Sequence, residues 1–163
     1  SGITATAIGA VLVCVFMVTY YRKSGFQAVV CTAINMCLLL ACLSLFGATL
    51  TLPGIAGLAL TLGMAVDSNV IIFERIREEL RRGSPDRVAV DAGFDKAHWT
   101  ILDANVTSLL TGIVLYIFGT GPIKGFAVTL SLGIVTTLFA ALYISRLGFE
   151  LFEMKDSQGR LSI

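Results

Sequence analysis

Charge is scarce in this chain. Only 14 % of its 163 residues are Asp, Glu, Lys or Arg, where a soluble domain carries about 25 %. Hydrophobic residues make up 56 % and mean hydropathy is +0.86. A shortfall of this size excludes a surface that faces water throughout. The net charge is +1, which removes any bulk electrostatic case for nucleic acid as a partner. Histidine is reduced to His98 alone, so a catalytic triad within the chain has one possible base. There is no P-loop, no metal-ligand spacing and no nucleophile motif, and neither ATP hydrolysis nor any other enzymatic activity is expected. The four cysteines, Cys14, Cys31, Cys37 and Cys42, form no CxxC and lie in apolar runs. They read as small packing residues. An initiator Met is missing before Ser1, as expected of an excised or processed piece. No basic segment precedes the first apolar run, which does not read as a signal peptide.

What the chain does contain is long apolar runs. A membrane span needs about 20 mostly apolar residues. Five stretches qualify: 3–21, 26–46, 53–73, 100–118 and 122–145. They are too long and too uniformly apolar for barrel strands, which alternate, so they predict an all-α, five-helix transmembrane bundle in one membrane domain. The connections are short. Arg22-Lys23-Ser24-Gly25 separates the first pair, residues 47–52 the next, and Gly119-Thr120-Gly121-Pro122 the last. Pro53 is placed to open the third helix.

Lys and Arg divide unevenly between the two ends. Arg22, Lys23, Arg75, Arg77, Arg81, Arg82, Arg87, Lys96, Arg146, Lys155 and Arg160 fall on one side and only Lys124 on the other. The positive-inside rule then places the N-terminus outside and the C-terminus in the cytoplasm. Between the third and fourth spans, residues 74–98 read as a cytoplasmic surface segment. The third helix continues to Arg82, with Arg75–Glu79 and Glu78–Arg82 pairs at i,i+4 and Gly83 as its cap. Ser84 as N-cap, Pro85 and Asp86 then open a short helix expected to lie along the membrane surface. His98 and Trp99 mark re-entry; His98 reads as an interfacial residue or, alternatively, a titrating one. A polar tail is expected from Lys155 to Ile163.

Asp67 stands out. It lies about fourteen residues, roughly 20 Å, into the third span, beyond the midplane. An ionisable residue at that depth is costly and is by default a functional candidate; the alternative is a structural Asp bonded to a neighbouring helix. Ala56, Ala59 and Gly63 share its helical stripe, which predicts a close helix contact there. In the fourth span Asp103, Thr107 and Thr111 follow i,i+4 spacing, with Asn105 and Ser108 on an adjacent face. Asn105 and Thr107 reach depths similar to Asn69 and Asp67, so hydrogen bonds across the helix pair are expected. Asn105 and Thr107 read equally as interhelical glue or as part of a transport path. A four-residue pattern, Asp67-Ser68-Asn69-Val70, returns as Asp103-Ala104-Asn105-Val106.

Three segments resemble the membrane part of the SecD/SecF protein-export family, within the RND superfamily. They are GMAVDSNVIIFERIREE (residues 63–79), WTILDANVTSLL (99–110) and GTGPIKGFAVTLSLG (119–133). The resemblance implies a bundle of RND type in the bacterial cytoplasmic (inner) membrane. It implies action with SecF beside the SecY translocon, coupling the proton-motive force to export of unfolded preproteins. It puts Asp67 on the family's intramembrane acidic position and Asn105 on its second polar motif. Ser68 stands where the family leads one to expect Ala. No cofactor is implied beyond a transported ion, H⁺ or possibly Na⁺. The family's N-terminal span and exported, substrate-contacting domain are absent from this chain. Two other readings stay open: half of an RND-type lipid or drug exporter, and a non-transporting scaffold for the translocon.

Overall fold

The structure, a computed structural model, describes residues 1–153 and 163. Lys155, Arg160 and the rest of the expected polar tail up to residue 162 lie outside the described residues. Five long helices run in chain order: α1 (Gly2–Tyr21), α2 (Lys23–Leu45), α3 (Leu52–Arg81), α4 (Asp86–Phe118) and α5 (Pro122–Phe139). The path of α5 continues through a π-helical turn (Ala140–Ile144), a short α6 (Ser145–Gly148) and a second π-helical turn (Phe149–Glu153). There is no strand among the described residues. Five helical segments are long and apolar enough to cross a membrane, the last taken as Pro122–Leu151. Outward-facing Val11, Leu12, Val15, Leu110 and Val114 are more than half exposed, as lipid-facing side chains must be. The chain is a multi-pass membrane protein.

The turns are tight. Arg22 adopts φ 53°, and α2 starts at once at Lys23, three residues before the expected boundary. A Cβ on Gly25 would sit 2.0 Å from the Met17 carbonyl oxygen, so only glycine lets α1 and α2 meet there. At the start of α3 the Thr51 hydroxyl accepts from the Gly54 N–H at 3.1 Å, with Pro53 in the first turn. The far end of α3 closes in a Schellman turn: Ser84 N–H reaches the Glu79 carbonyl, Gly83 N–H reaches Leu80, and Gly83 takes φ 87°.

α3 is the centre of the bundle, touching α1, α2, α4 and α5. Its most extensive contact is with α5, through small and hydroxyl residues. Gly57 lies against Thr129, and a Cβ on Gly133 would come within 2.2 Å of Thr61 Oγ1. This corrects the expected packing stripe. Ala56 and Gly63 are exposed and Ala59 is half-buried, and a Cβ on Gly63 would meet nothing within 4 Å. At 3.6 residues per turn, Gly54, Gly57, Thr61, Ala65 and Ser68 form the buried stripe, and Ala56, Ala59, Gly63 and Asp67 fall on the more open, nearly opposite face of the helix.

A second correction concerns residues 74–98. No separate surface helix forms; α4 is one continuous helix from Asp86 to Phe118, with Pro85 at the N-cap position. The reason is packing. Ala89, Val90, Phe94 and Ala97 are buried, and Gly93 lies so close to Ile76 that a Cβ would be 2.9 Å from its backbone. Glu79 and Lys96 form an ion pair across the two helices. The first part of α4 is thereby held antiparallel along the end of α3, so the chain cannot bend flat at His98 and Trp99. Phe73, Phe149, Phe94 and Tyr21 stack edgewise beside this hairpin, with ring centroids 5.1–5.6 Å apart. They close the core at the end of the bundle that carries most of the Lys and Arg.

Candidate functional site

Asp67 projects from the middle of α3, on its exposed flank, while its neighbours Ser68 and Asn69 are buried. Among the described residues it has no hydrogen-bond or ion-pair partner. It opens onto a small cleft of about 60 Å³ between α3 and α4, lined among others by Met64, Ser68, Asn105 and Ser108. The structure therefore brings Asp67, Asn105 and Ser108 to one place. Asp103 and Thr107 are exposed and do not line this cleft.

The expected hydrogen bonds across the helix pair are not formed. Asn69 Nδ2 donates to the Ala65 carbonyl at 3.0 Å and Asn105 Nδ2 to Ile101 at 2.7 Å. Thr107 donates back to Asp103 at 3.1 Å and Ser108 to Ala104 at 3.1 Å. Each polar side chain satisfies itself on the turn below, as membrane helices permit. Among the described residues this leaves the Oδ1 atoms of Asn69 and Asn105 buried without a partner. Both are acceptors. Asn105 lines the cleft and Asn69 does not; a carboxyl at the mouth with one unpaired acceptor behind it can hold a proton or a small cation. No group of three His, Cys, Asp or Glu that could hold a metal converges among the described residues.

A second set of polar contacts was not anticipated. Along α2, Gln27, Cys31 and Asn35 recur at i,i+4 and face α5 and its continuation. Gln27 Nε2 donates to the Ser145 carbonyl at 2.7 Å, the Cys31 thiol to Ala140 at 3.4 Å, and Asn35 Nδ2 to Thr137 Oγ1 at 2.9 Å. The spacing was visible in the sequence. Cys31 is thus more than a small packing residue, because its thiol meets a carbonyl in the π-helical turn. At the basic end Tyr21 donates to Glu74 at 2.9 Å, and Arg77 bonds Glu74 at 3.2 Å while lying over the Tyr20 and Tyr21 rings. The helical ion pairs also differ in part. Arg82 meets Glu78 at 2.7 Å as expected, but Arg75 pairs with Glu78 at 3.1 Å because Glu79 turns to Lys96 and Arg82. His98 is exposed, with its ring edgewise to Trp99 at 5.6 Å.

Known proteins share this architecture. The family described as protein export membrane protein SecD/SecF, C-terminal, matches residues 1–152. A protein translocase subunit SecD of Desulfurispirillum indicum is 54 % identical over 162 residues, which cover 99 % of this chain and 32 % of that protein. Its counterpart in Pseudomonas aeruginosa is 55 % identical over 145 residues, 89 % of this chain and 23 % of the relative. The crystal structure of SecDF, a translocon-associated membrane protein from a Thermus species, superposes with a TM-score of 0.91. The identity is 44 %, over 95 % of this chain and 22 % of that one. The chain spans a third or less of the length of these relatives. With the family matched over nearly its whole length and the bundle reproduced helix for helix, this chain belongs to the SecD/SecF family of protein export membrane proteins.

Proposed function

We propose that this bundle is the membrane half of a SecD-type subunit that couples an ion gradient to preprotein export, with Asp67 as the coupling group. The observation that carries the reading is the place of Asp67. It is a carboxyl in the middle of a membrane-spanning helix, without a partner among the described residues, on a flank of small residues. Such a group is costly in lipid, and Ala56, Ala59 and Gly63 leave room beside it for another helix. A second bundle, that of SecF, covers this flank and completes the path that begins in the cleft with Asn105 and Ser108. Protonation of Asp67 removes a charge from that contact and release restores it, so the two bundles repack in each cycle. A 100 mV potential supplies about 2.3 kcal/mol per charge and a ten-fold pH gradient about 1.4 kcal/mol. The basic end lies in the cytoplasm, the membrane is the bacterial inner membrane, and the work on unfolded preprotein is done outside by a domain beyond this chain, beside SecY.

The test is preprotein export by the full-length subunit paired with SecF, with Asp67→Asn against Asp67→Glu. The Asn variant assembles normally and loses the stimulation of export by the proton-motive force; the Glu variant retains part of it. Undiminished stimulation in Asp67→Asn would leave the bundle a scaffold.

A further inference from the structure

The last span takes in one extra residue on its way to the basic end. Along α5 the buried positions Ala127, Leu130, Ile134 and Thr137 recur every three or four residues and continue to Ala141. Beyond it Ser145 and Phe149 follow at intervals of four. In an unbroken α-helix those eight residues would leave Phe149 about 80° round the axis from Ala141. Yet Ala141 and Phe149 belong to one buried cluster, and Phe149 meets the rings of Phe73 and Phe94 at 5.6 Å between centroids. The π-helical turn Ala140–Ile144 makes up the difference. Its bonds span five residues, as from the Ser145 N–H to the Ala140 carbonyl, so it holds one residue more than an α turn.

Such turns are rare, and α2 supports this one at both ends. The Cys31 thiol donates to the carbonyl of Ala140, where the turn begins, at 3.4 Å. Gln27 Nε2 donates to the carbonyl of Ser145, just past its end, at 2.7 Å. Both donors are buried and lie one turn apart on α2. Gly148 lets Gln27 come this close, since a Cβ there would be 2.6 Å from the amide nitrogen. Asn35, next in the same row, bonds Thr137 ahead of the turn. Past the turn, Arg146 pairs with Asp91 of α4 at 3.1 Å. What the end of the span presents to the α3–α4 hairpin therefore depends on the extra residue.

We propose that Gln27 and Cys31 form a register latch. Closed, it keeps the π-helical turn and holds Phe149 and Arg146 against the α3–α4 hairpin. Open, the turn relaxes to α-helix and the end of the span rotates by about 80°, withdrawing both residues from the hairpin. The device is built on α2 and the last span and does not depend on the ion-coupling reading.

The experiment uses the full-length protein in phospholipid vesicles, with nitroxide amino acids in place of Arg87 on α4 and Glu150, both exposed. Double electron–electron resonance reads their separation. A rotation of about 80° on a helix about 5–6 Å in radius displaces the second label by about 7 Å. The otherwise unmodified protein gives one distance. Gln27→Leu with Cys31→Ala shifts it, and Gln27→Leu alone, the milder change, gives a mixture of the two distances. Asn35→Ala, which releases a bond outside the turn, leaves the distance unchanged. Deleting Tyr143, an exposed residue of the turn, removes the extra residue, and in that background the double change no longer moves the label. An unshifted distance in both latch variants overturns the proposal. So does an equal shift in Asn35→Ala, or a shift of the double variant that survives deletion of Tyr143; either would mean general loosening of the contact with α2.

Discussion

Substituting Gly133 by Ala tests whether the α3–α5 contact sets the bundle. The added Cβ would lie 2.2 Å from Thr61 Oγ1 and 2.7 Å from its Cγ2. Thr61 is fully buried and its hydroxyl is already bonded to the Gly57 carbonyl at 2.9 Å, so turning away would cost that bond. The helices must separate or tilt. Overpacking of this kind costs about 1–3 kcal/mol, a drop of roughly 5- to 160-fold in the folded ratio. Thr61→Ala removes the two closest atoms and leaves a Cβ at 3.0 Å, so the double variant recovers most of the loss. Gly63→Ala is the control. Nothing lies within 4 Å of its Cβ, and Ala gains helix propensity of up to about 1 kcal/mol. The assay is denaturant unfolding in mild detergent, read by circular dichroism, as a double-mutant cycle. A neutral Gly133→Ala, or a Gly63→Ala as damaging as Gly133→Ala, would refute the assignment of the packing stripe.

Other expectations follow from the contacts around the bundle. Lys96→Met leaves Glu79, whose side chain is 10 % exposed, with Arg82 alone. The pair is part-exposed at its Lys end, so the loss is about 1 kcal/mol, seen as a lower thermal midpoint for the α3–α4 hairpin. Asn35→Ala breaks the bond to Thr137; interhelical bonds of this type are worth about 0.6 kcal/mol on average, and unfolding should shift by no more than about 2 kcal/mol. Thr107→Val removes an exposed hydroxyl bonded only to its own helix, and export assays should show it active.

The spans were legible because a membrane imposes a length and a composition that each apolar run meets by itself. Asp67 was legible for the same reason: a charge inside such a run contradicts its surroundings. Rotation about each helix axis was harder to see. Ala56, Ala59 and Gly63 look as suitable for packing as Gly54, Gly57 and Thr61, and only the hydroxyl partners on α5 decide between two stripes two residues apart, on nearly opposite faces of the helix. The continuity of α4 was hidden by Lys96, His98 and Trp99, which suggest an interface. What keeps the helix straight is Gly93 on Ile76 and Glu79 on Lys96, contacts that depend on where α3 ends. The hydrogen bonds of Asn105 and Thr107 could not be read from depth alone, since a carbonyl one turn below competes with any partner across the cleft.

The central claim is that ion movement passes through Asp67. The most direct measurement is ion flux in proteoliposomes holding the full-length subunit with SecF, followed by a pH-sensitive dye under an imposed proton gradient and repeated under a sodium gradient. The account predicts flux in the unmodified pair with one of the two ions and its loss in Asp67→Asn, with the complex intact. Equal flux with Asn at position 67 would contradict it.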